Sequence, residues 1–226
     1  VGVTGTNGKT TTTTLIKHIL ETQGAKVGLI GTNENIIGET VIPADRTTPE
    51  SYELQALFAR MVEAGCTHCV MEVSSHSLVL DRVRGVQFQS AVFTNLTQDH
   101  LDFHHTMEEY RKAKALLFSI SDKGAINLDD PAAQAMLDDA KCDCLTYSAK
   151  QNADLMAQNI DLRADGIGFT ALHGGASAQI ELGIPGQFSV SNALSAIAAC
   201  LLLSHDVTTC ADALRSAHGV KGRIEV

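Results

Sequence analysis

The feature that most limits what this chain can fold into is the run Val3-Thr4-Gly5-Thr6-Asn7-Gly8-Lys9-Thr10-Thr11 near its start. Apolar residues lead into it. A helix-length segment follows, carrying Leu15, Ile16, Ile19 and Leu20 on one side and ending at Gly24. Strand, glycine loop and helix in that order make a phosphate-binding turn, because amides at a helix N-terminus face outward and favour an anion. Gly5 and Gly8 let the backbone approach closely, Lys9 supplies a point charge, and the Thr10 hydroxyl suits Mg²⁺. Gly5, Thr6, Asn7, Gly8, Lys9, Thr10 and Thr11 are therefore the candidate nucleotide-binding residues. The strict G-x-x-x-x-G-K-[ST] spacing is not met, since its first glycine position holds Val3. The plainer reading is a glycine-rich turn with a solvated lysine, and the strand-to-helix setting weighs against it.

After the loop, short β-rich runs alternate with amphipathic segments. Strands are expected at Val1–Thr4, Val27–Gly31, Cys69–Val73, Ala91–Thr94, Ala125–Leu128 and Cys144–Tyr147. Helices are expected over Thr10–Gln23, Pro49–Ala64 (with Thr48 as cap), Thr106–Ile120, Val190–Leu203 and Cys210–Ala217. Such alternation predicts an α/β fold, a P-loop-type and mainly parallel sheet flanked by helices. From about 156 to 184 the runs shorten around Asp165-Gly166 and His173-Gly174-Gly175, which predicts a small antiparallel sheet.

Composition narrows the function classes. With 226 residues and 44% apolar side chains the chain can bury a sizeable core. Seventeen basic against 26 acidic residues leave a net charge of -9, which argues against a nucleic-acid partner. No apolar run nears the roughly 20 residues of a membrane helix, and no signal peptide is visible, so a cytoplasmic location without membrane association is expected. The six cysteines are too sparse for a disulfide scaffold. The Cys66/Cys69 and Cys142/Cys144 pairs have spacing that zinc accepts, but Cys69 and Cys144 fall in strand-like stretches where a buried thiol is the commoner outcome.

Several further stretches carry chemistry. Glu72 ends an apolar strand, where open α/β sheets bind ligands, and a carboxylate there is a natural Mg²⁺ ligand beside Thr10. His100 lies just past another apolar strand, with an acidic neighbour able to orient its ring towards metal or phosphate. Lys114 falls in the stripe Met107, Tyr110, Leu117 and Phe118 of its helix; by spacing alone it is expected to snorkel to the surface. If it were desolvated, its neutral and nucleophilic amine would be favoured. Thr47 and Thr48 precede a helix whose N-terminus could hold a carboxylate or phosphate, and Arg82 could clamp an anionic substrate.

Together these blocks resemble the Mur ligases, which use ATP to amidate cell-wall precursors. Thr4–Thr11 is similar to the phosphate loop of that family. Glu72-Val73-Ser74-Ser75, the Thr94–Asp102 stretch and Tyr110-x-x-x-Lys114-x-Leu116-Leu117-Phe118 follow in the family's order. Gly186-x-Phe188-x-x-x-Asn192 and Gly222-Arg223-Ile224-Glu225 complete the set. Thr47-Thr48-Pro49 and His76-x-Leu78-Val79-x-x-Arg82 point to the MurE branch. The resemblance implies addition of a diamino acid to UDP-N-acetylmuramoyl-L-alanyl-D-glutamate through an acyl phosphate. It further implies that Lys9 holds the β- and γ-phosphates, that Thr10 and Glu72 bind one Mg²⁺, and that Glu72 and His100 bind a second. Lys114 matches the family lysine that CO₂ carbamylates, Asn192 would touch adenine, and Arg223 the ribose or phosphates. Thr47, Thr48, Ser74 and Arg82 match residues that hold the muramoyl-dipeptide. Ser189 departs from the asparagine that many relatives carry.

Val1 and Val226 stand inside apolar, strand-like runs, so both ends read as cut. The family's enzymes have an N-terminal uridine-nucleotide domain and a C-terminal domain besides the central ATPase that 1–226 resembles. The stretch alone is therefore expected to bind nucleotide weakly, to be monomeric and to make no ligated product. Two alternatives remain open on the sequence: a folylpolyglutamate synthase relative, and a nucleotide-binding amidotransferase subunit whose relatives carry a zinc ribbon.

Overall fold

The computed structural model describes residues 1–217, built as eleven strands and eight helices among the described residues. The strands are β1 (Gly2–Thr4), β2 (Val27–Ile30), β3 (Glu34–Ile37), β4 (Thr40–Pro43), β5 (His68–Glu72), β6 (Phe88–Phe93), β7 (Ser121–Asn127), β8 (Asp143–Ser148), β9 (Leu155–Leu162), β10 (Ile167–His173) and β11 (Ala176–Leu182). The helices are α1 (Lys9–Thr22), α2 (Ser51–Glu63), α3 (Ser75–Val79), α4 (Leu101–His104), α5 (Met107–Ser119), α6 (Ala133–Asp139), α7 (Gln187–Leu202) and α8 (Val207–Leu214).

All strands join one sheet in the order β11-β10-β9-β8-β7-β6-β1-β5-β2-β3-β4. The middle, from β9 to β2, is parallel. The antiparallel part expected in the C-terminal third is β9-β10-β11, turning at Asp165-Gly166 and Gly174-Gly175, and β9 runs on from β8 within the same sheet. A second antiparallel meander, β2-β3-β4, closes the opposite end. The strand order reverses at β1, with β5 on one side and β6 on the other. That reversal opens a crevice beyond the carboxyl ends of β1, β5 and β6, where doubly wound sheets bind ligands.

The central strands are buried on both faces. Val3, Val70, Val92 and Ala125 pack towards α1, α7 and α8. Ile30, Met71, Phe93 and Ile126 face the opposite core, with Leu54, Leu57 and Met61 of α2, Leu117 and Phe118 of α5, and Met136 of α6. Period-two alternation with apolar residues on both sides is what helices on both faces demand. Helix α7 is apolar nearly all round and buried from Ala193 to Cys200, filling the space between sheet, α1 and α8.

One cap differs from expectation. Thr48 does not cap α2: Glu50 does, in a capping box with Glu53, and Thr48 is buried with its hydroxyl donating to the Glu72 carbonyl at 2.9 Å. Proline at 49 therefore sits before the cap and outside the helix. Among the described residues no helix is long and apolar enough to cross a membrane.

Candidate functional site

The loop after β1 is clamped by the segment after β6. The Thr6 amide donates to the Asn95 carbonyl and the Asn7 amide to Asn95 Oδ1, both at 2.9 Å. Thr94 Oγ1 and Asn95 Nδ2 both donate to the Asn7 carbonyl, at 2.7 and 3.0 Å. A Cβ on Gly5 would stand 1.9 Å from Thr94 Oγ1, and Gly5 has a φ of +149°, so only glycine permits this closure. Gly8, at φ +84°, caps α1, and a Cβ there would stand 2.4 Å from Asn192 Oδ1. Asn192, in the second turn of α7, is thereby set against the phosphate loop. Lys9 arches back over the loop, its Nζ donating to the carbonyls of Gly5 and Thr6 at 2.9 and 3.0 Å. The leading amides of α1 have no partner within the helix itself, which leaves this end with the polarity an anion needs.

Glu72 is buried at 1% exposure at the end of β5. Its Oε1 accepts from Thr10 Oγ1 at 3.0 Å and from the Thr32 amide at 2.9 Å, and its Oε2 accepts from Thr32 Oγ1 at 3.0 Å. A Cβ on Gly31 would come within 2.7 Å of the carboxylate, so glycine at the end of β2 makes room for it. A buried carboxylate beside a threonine hydroxyl, both oxygen donors, is the donor chemistry of a hard divalent cation. Thr32 was not singled out in the sequence. The Gly31-Thr32 step ending an apolar run was the available signal, and the pairing with Glu72, forty residues on, is tertiary.

Lys114 does not snorkel. It is 1% exposed on α5, with Nζ 4.2 Å from the ring centre of Tyr110. Burial first, and the charge of Lys9 second, hold its pKa well below the ordinary lysine value, against a smaller opposing pull from Asp99. Around it lies a cluster that spacing did not disclose. His104 stacks on Tyr110 at 4.8 Å and its Nε2 is 2.8 Å from Ser75 Oγ. His76 packs edge-on to His100 at 4.9 Å and against Phe103 at 4.2 Å. His100 is half-exposed in left-handed backbone, φ 51°, capping α4, with Asp99 3.5 Å from its Nε2. His105 ends the same helix at φ 62°, so two non-glycine residues in costly conformations bracket four helical ones. The described residues contain no group of three or more His, Cys, Asp or Glu side chains arranged around one point to hold a metal.

His104 is 4% exposed, and burial, then His76, then Lys114 and His100 push its pKa down to about 4. An unfolded imidazole titrates near ~6.5, so between those values the unfolded chain binds more protons and stability falls as pH drops. The loss between pH ~6.5 and pH ~4 should amount to about 2–3 kcal/mol. Urea midpoints at either end of that window should converge in His104→Gln; an undiminished acid loss in the variant would refute the assignment.

The remaining candidates gather around the end of β5 on the α2 side. Ser74 caps α3, accepting from the Ser77 amide at 3.1 Å, and its own amide donates to Thr48 Oγ1 at 3.0 Å. Thr47 Oγ1 is 3.0 Å from Thr32 Oγ1. Arg82 donates to the Thr48 carbonyl at 3.3 Å and pairs with Glu50 at 2.9 Å, and Arg46 meets the same Glu50 oxygen at 3.0 Å. Thr47, Thr48, Ser74 and Arg82 thus form one connected wall next to Glu72. Thr11 stands in the first turn of α1, half-buried. Ser189 is buried and bonds to the Pro185 carbonyl at 2.9 Å. Arg223 lies outside the described residues. Cys69 lies in β5 and Cys144 in β8, both partly buried free thiols with pKa pushed up, by burial above all, to about 11 and about 12.

The Mur ligase middle-domain family model matches residues 3–200. Similar proteins include the UDP-N-acetylmuramoyl-L-alanyl-D-glutamate--2,6-diaminopimelate ligase 1 of Clostridium acetobutylicum, 48% identical over all of this chain and 47% of that protein. The corresponding ligase of Clostridium tetani is 49% identical over the same shares. A solved structure of a ligase of that name superposes with a TM-score of 0.90 at 33% identity, over 99% of this chain and 47% of the other. MurF from Acinetobacter baumannii, 20% identical with a TM-score of 0.78, has the same fold. The chain spans about half the length of the curated relatives it matches.

Proposed function

The chain belongs to the Mur ligase family through its middle domain, and on that premise we propose that it is the ATP-handling part of a peptidoglycan-precursor ligase. The reaction is addition of 2,6-diaminopimelate to UDP-N-acetylmuramoyl-L-alanyl-D-glutamate, the chemistry for which its relatives at 48–49% identity are named. The observation that carries the reading is the Thr10-Glu72-Thr32 cradle beside the clamped phosphate loop. It sets a buried anion and a helix N-terminus at one sheet edge, with the wall of Thr47, Thr48, Ser74 and Arg82 adjoining.

In this reading Lys9, with the loop of Gly5, Thr6, Asn7 and Gly8 and the amides of Thr10 and Thr11, holds the ATP phosphates, while Asn192 and Arg223 meet the nucleoside end. Thr10 and Glu72 would hold one Mg²⁺, and Glu72, His100 and carbamylated Lys114 a second; their donors would be hydroxyl, carboxylate and carbamate oxygens and one imidazole nitrogen. A Mg²⁺ bound there would supply neutralisation of the phosphate charge. Arg82 and the threonine wall orient the D-glutamyl γ-carboxylate, so that its oxygen receives the γ-phosphoryl group and ADP leaves. The amine of the diamino acid then displaces phosphate, forming the amide.

Lys114 supplies its own anion. Its neutral amine attacks CO₂, the N–C bond forms, the C=O electrons move to oxygen, and the ammonium proton departs to solvent. Burial favours the amine that starts this sequence. Flanking domains from a longer polypeptide supply the uridine-nucleotide and diamino-acid pockets. We take the assembled enzyme to be a cytoplasmic monomer with no nucleic-acid partner.

The test is ADP release by a polypeptide containing 1–226 together with such flanking domains. Release should require both the UDP-muramoyl-dipeptide and meso-diaminopimelate, with folate substrates inert. Release indifferent to the muramoyl substrate would overturn the reading. Residues 1–226 alone should yield no tripeptide product.

A further inference from the structure

The Tyr110 side chain touches the phosphate loop, the buried lysine and the histidine cluster at once, and the ligase chemistry above gives it no part. It is 1% exposed on α5, one turn before Lys114. Its hydroxyl is 3.3 Å from Thr6 Oγ1. Thr6 Oγ1 also accepts from the Thr97 amide at 3.0 Å and lies 3.2 Å from the Thr97 carbonyl, so the phenol joins the clamp on the loop. The ring face closes one side of the Lys114 amine at 4.2 Å. The ring is also held by His104, stacked on it at 4.8 Å and tilted by 28°. His104 in turn is tied to Ser75, the residue after the α3 cap Ser74.

We propose that Tyr110 is a positioning residue, whose hydroxyl fixes the phosphate loop and whose ring fixes the Lys114 amine, holding the two in register. The two halves of the side chain act on different partners, so they separate by substitution. This inference rests on the ligase reading for its kinetic consequences, but its two contacts can be measured without ligase turnover.

Tyr110→Phe keeps the ring and removes the hydroxyl. It should weaken binding of a fluorescent ATP analogue about 3- to 10-fold, the worth of one hydrogen bond. Acylation of Lys114 by an anhydride, followed by mass spectrometry, should stay as slow as in the parent. Tyr110→Leu removes the ring as well and should speed that acylation by about 10-fold or more, since the packed ring face that shields the amine from the reagent is gone. In a ligase-active polypeptide the same pair should split: a raised KM for ATP with kcat retained for Tyr110→Phe, and a depressed kcat for Tyr110→Leu. Unchanged affinity in Tyr110→Phe, or Lys114 acylation equally slow in Tyr110→Leu, would overturn the proposal. So would losses in both variants that merely follow falling thermal stability. Failure of the parent polypeptide to ligate would count against the ligase reading alone, since the affinity and acylation readouts still decide the role of Tyr110.

Discussion

Replacing Lys114 with Ala in a ligase-active polypeptide should abolish product formation, by about a thousandfold or more, the scale set when several kcal/mol of transition-state charge stabilisation are removed. The fold should survive, because the substitution removes a buried amine whose solvation was already lost, and α5 keeps its apolar stripe of Tyr110, Leu117 and Phe118. Two details separate a carbamate from a plain structural lysine. Short carboxylic acids should restore part of the activity to Lys114→Ala, since a free carboxylate can occupy the space where the carbamate oxygens would lie. Lys114→Met, which fills the site without an amine, should be as inactive as the alanine variant and resist rescue. Full turnover in Lys114→Met would end the carbamate assignment.

Glu72→Gln tests the cradle with almost no change of shape. The amide oxygen can still accept from Thr10 Oγ1 and the Thr32 amide, while the amide nitrogen can donate to Thr32 Oγ1, whose hydroxyl then turns towards Thr47. Every buried polar group keeps a partner, so the melting temperature should move by no more than a few degrees, about what ~1 kcal/mol does in a domain of this size. The negative charge, however, is gone. ADP release should fall about a hundredfold or more and the Mg²⁺ requirement should shift upward. Titration of activity against MgCl₂ reads this directly, and an unchanged Mg²⁺ profile would remove Glu72 from the metal site.

Much of the sheet was legible because its central strands are buried on both faces. Val27–Gly31, Cys69–Val73 and Ala91–Thr94 are near-continuous apolar runs, and all three lie along strands of the parallel region. The hairpins at Asp165-Gly166 and Gly174-Gly175 announced themselves through turn residues. The β3-β4 hairpin did not, since Glu34, Asn35, Glu39 and Thr40 interrupt its short apolar pairs Ile36-Ile37 and Val41-Ile42, and it lies at the sheet edge, where one side meets water. Lys114 shows the limit of periodicity. The 3.6-residue stripe put it on the inner face of its helix, but whether a long side chain on that face escapes to solvent depends on what covers it. Here the Tyr110 ring covers it, and His104 stacks on that ring.

By itself the sequence determined the strand-loop-helix opening, the alternating architecture and the identities of Lys9, Thr10, Glu72 and His100 as candidates, because those follow from local spacing and side-chain chemistry; Lys114 became a candidate only through its match to the family pattern. Only the tertiary structure decided that Thr32 shares the Glu72 carboxylate, that Asn95 clamps the phosphate loop, and that Tyr110 joins that loop to Lys114. The physical reason is distance along the chain. These groups stand 40, 88 and 104 residues from the partners they bond, and meet because parallel pairing sets the carboxyl end of β2 beside that of β5 and the carboxyl end of β1 beside that of β6, with α5 packed against β1 and β6.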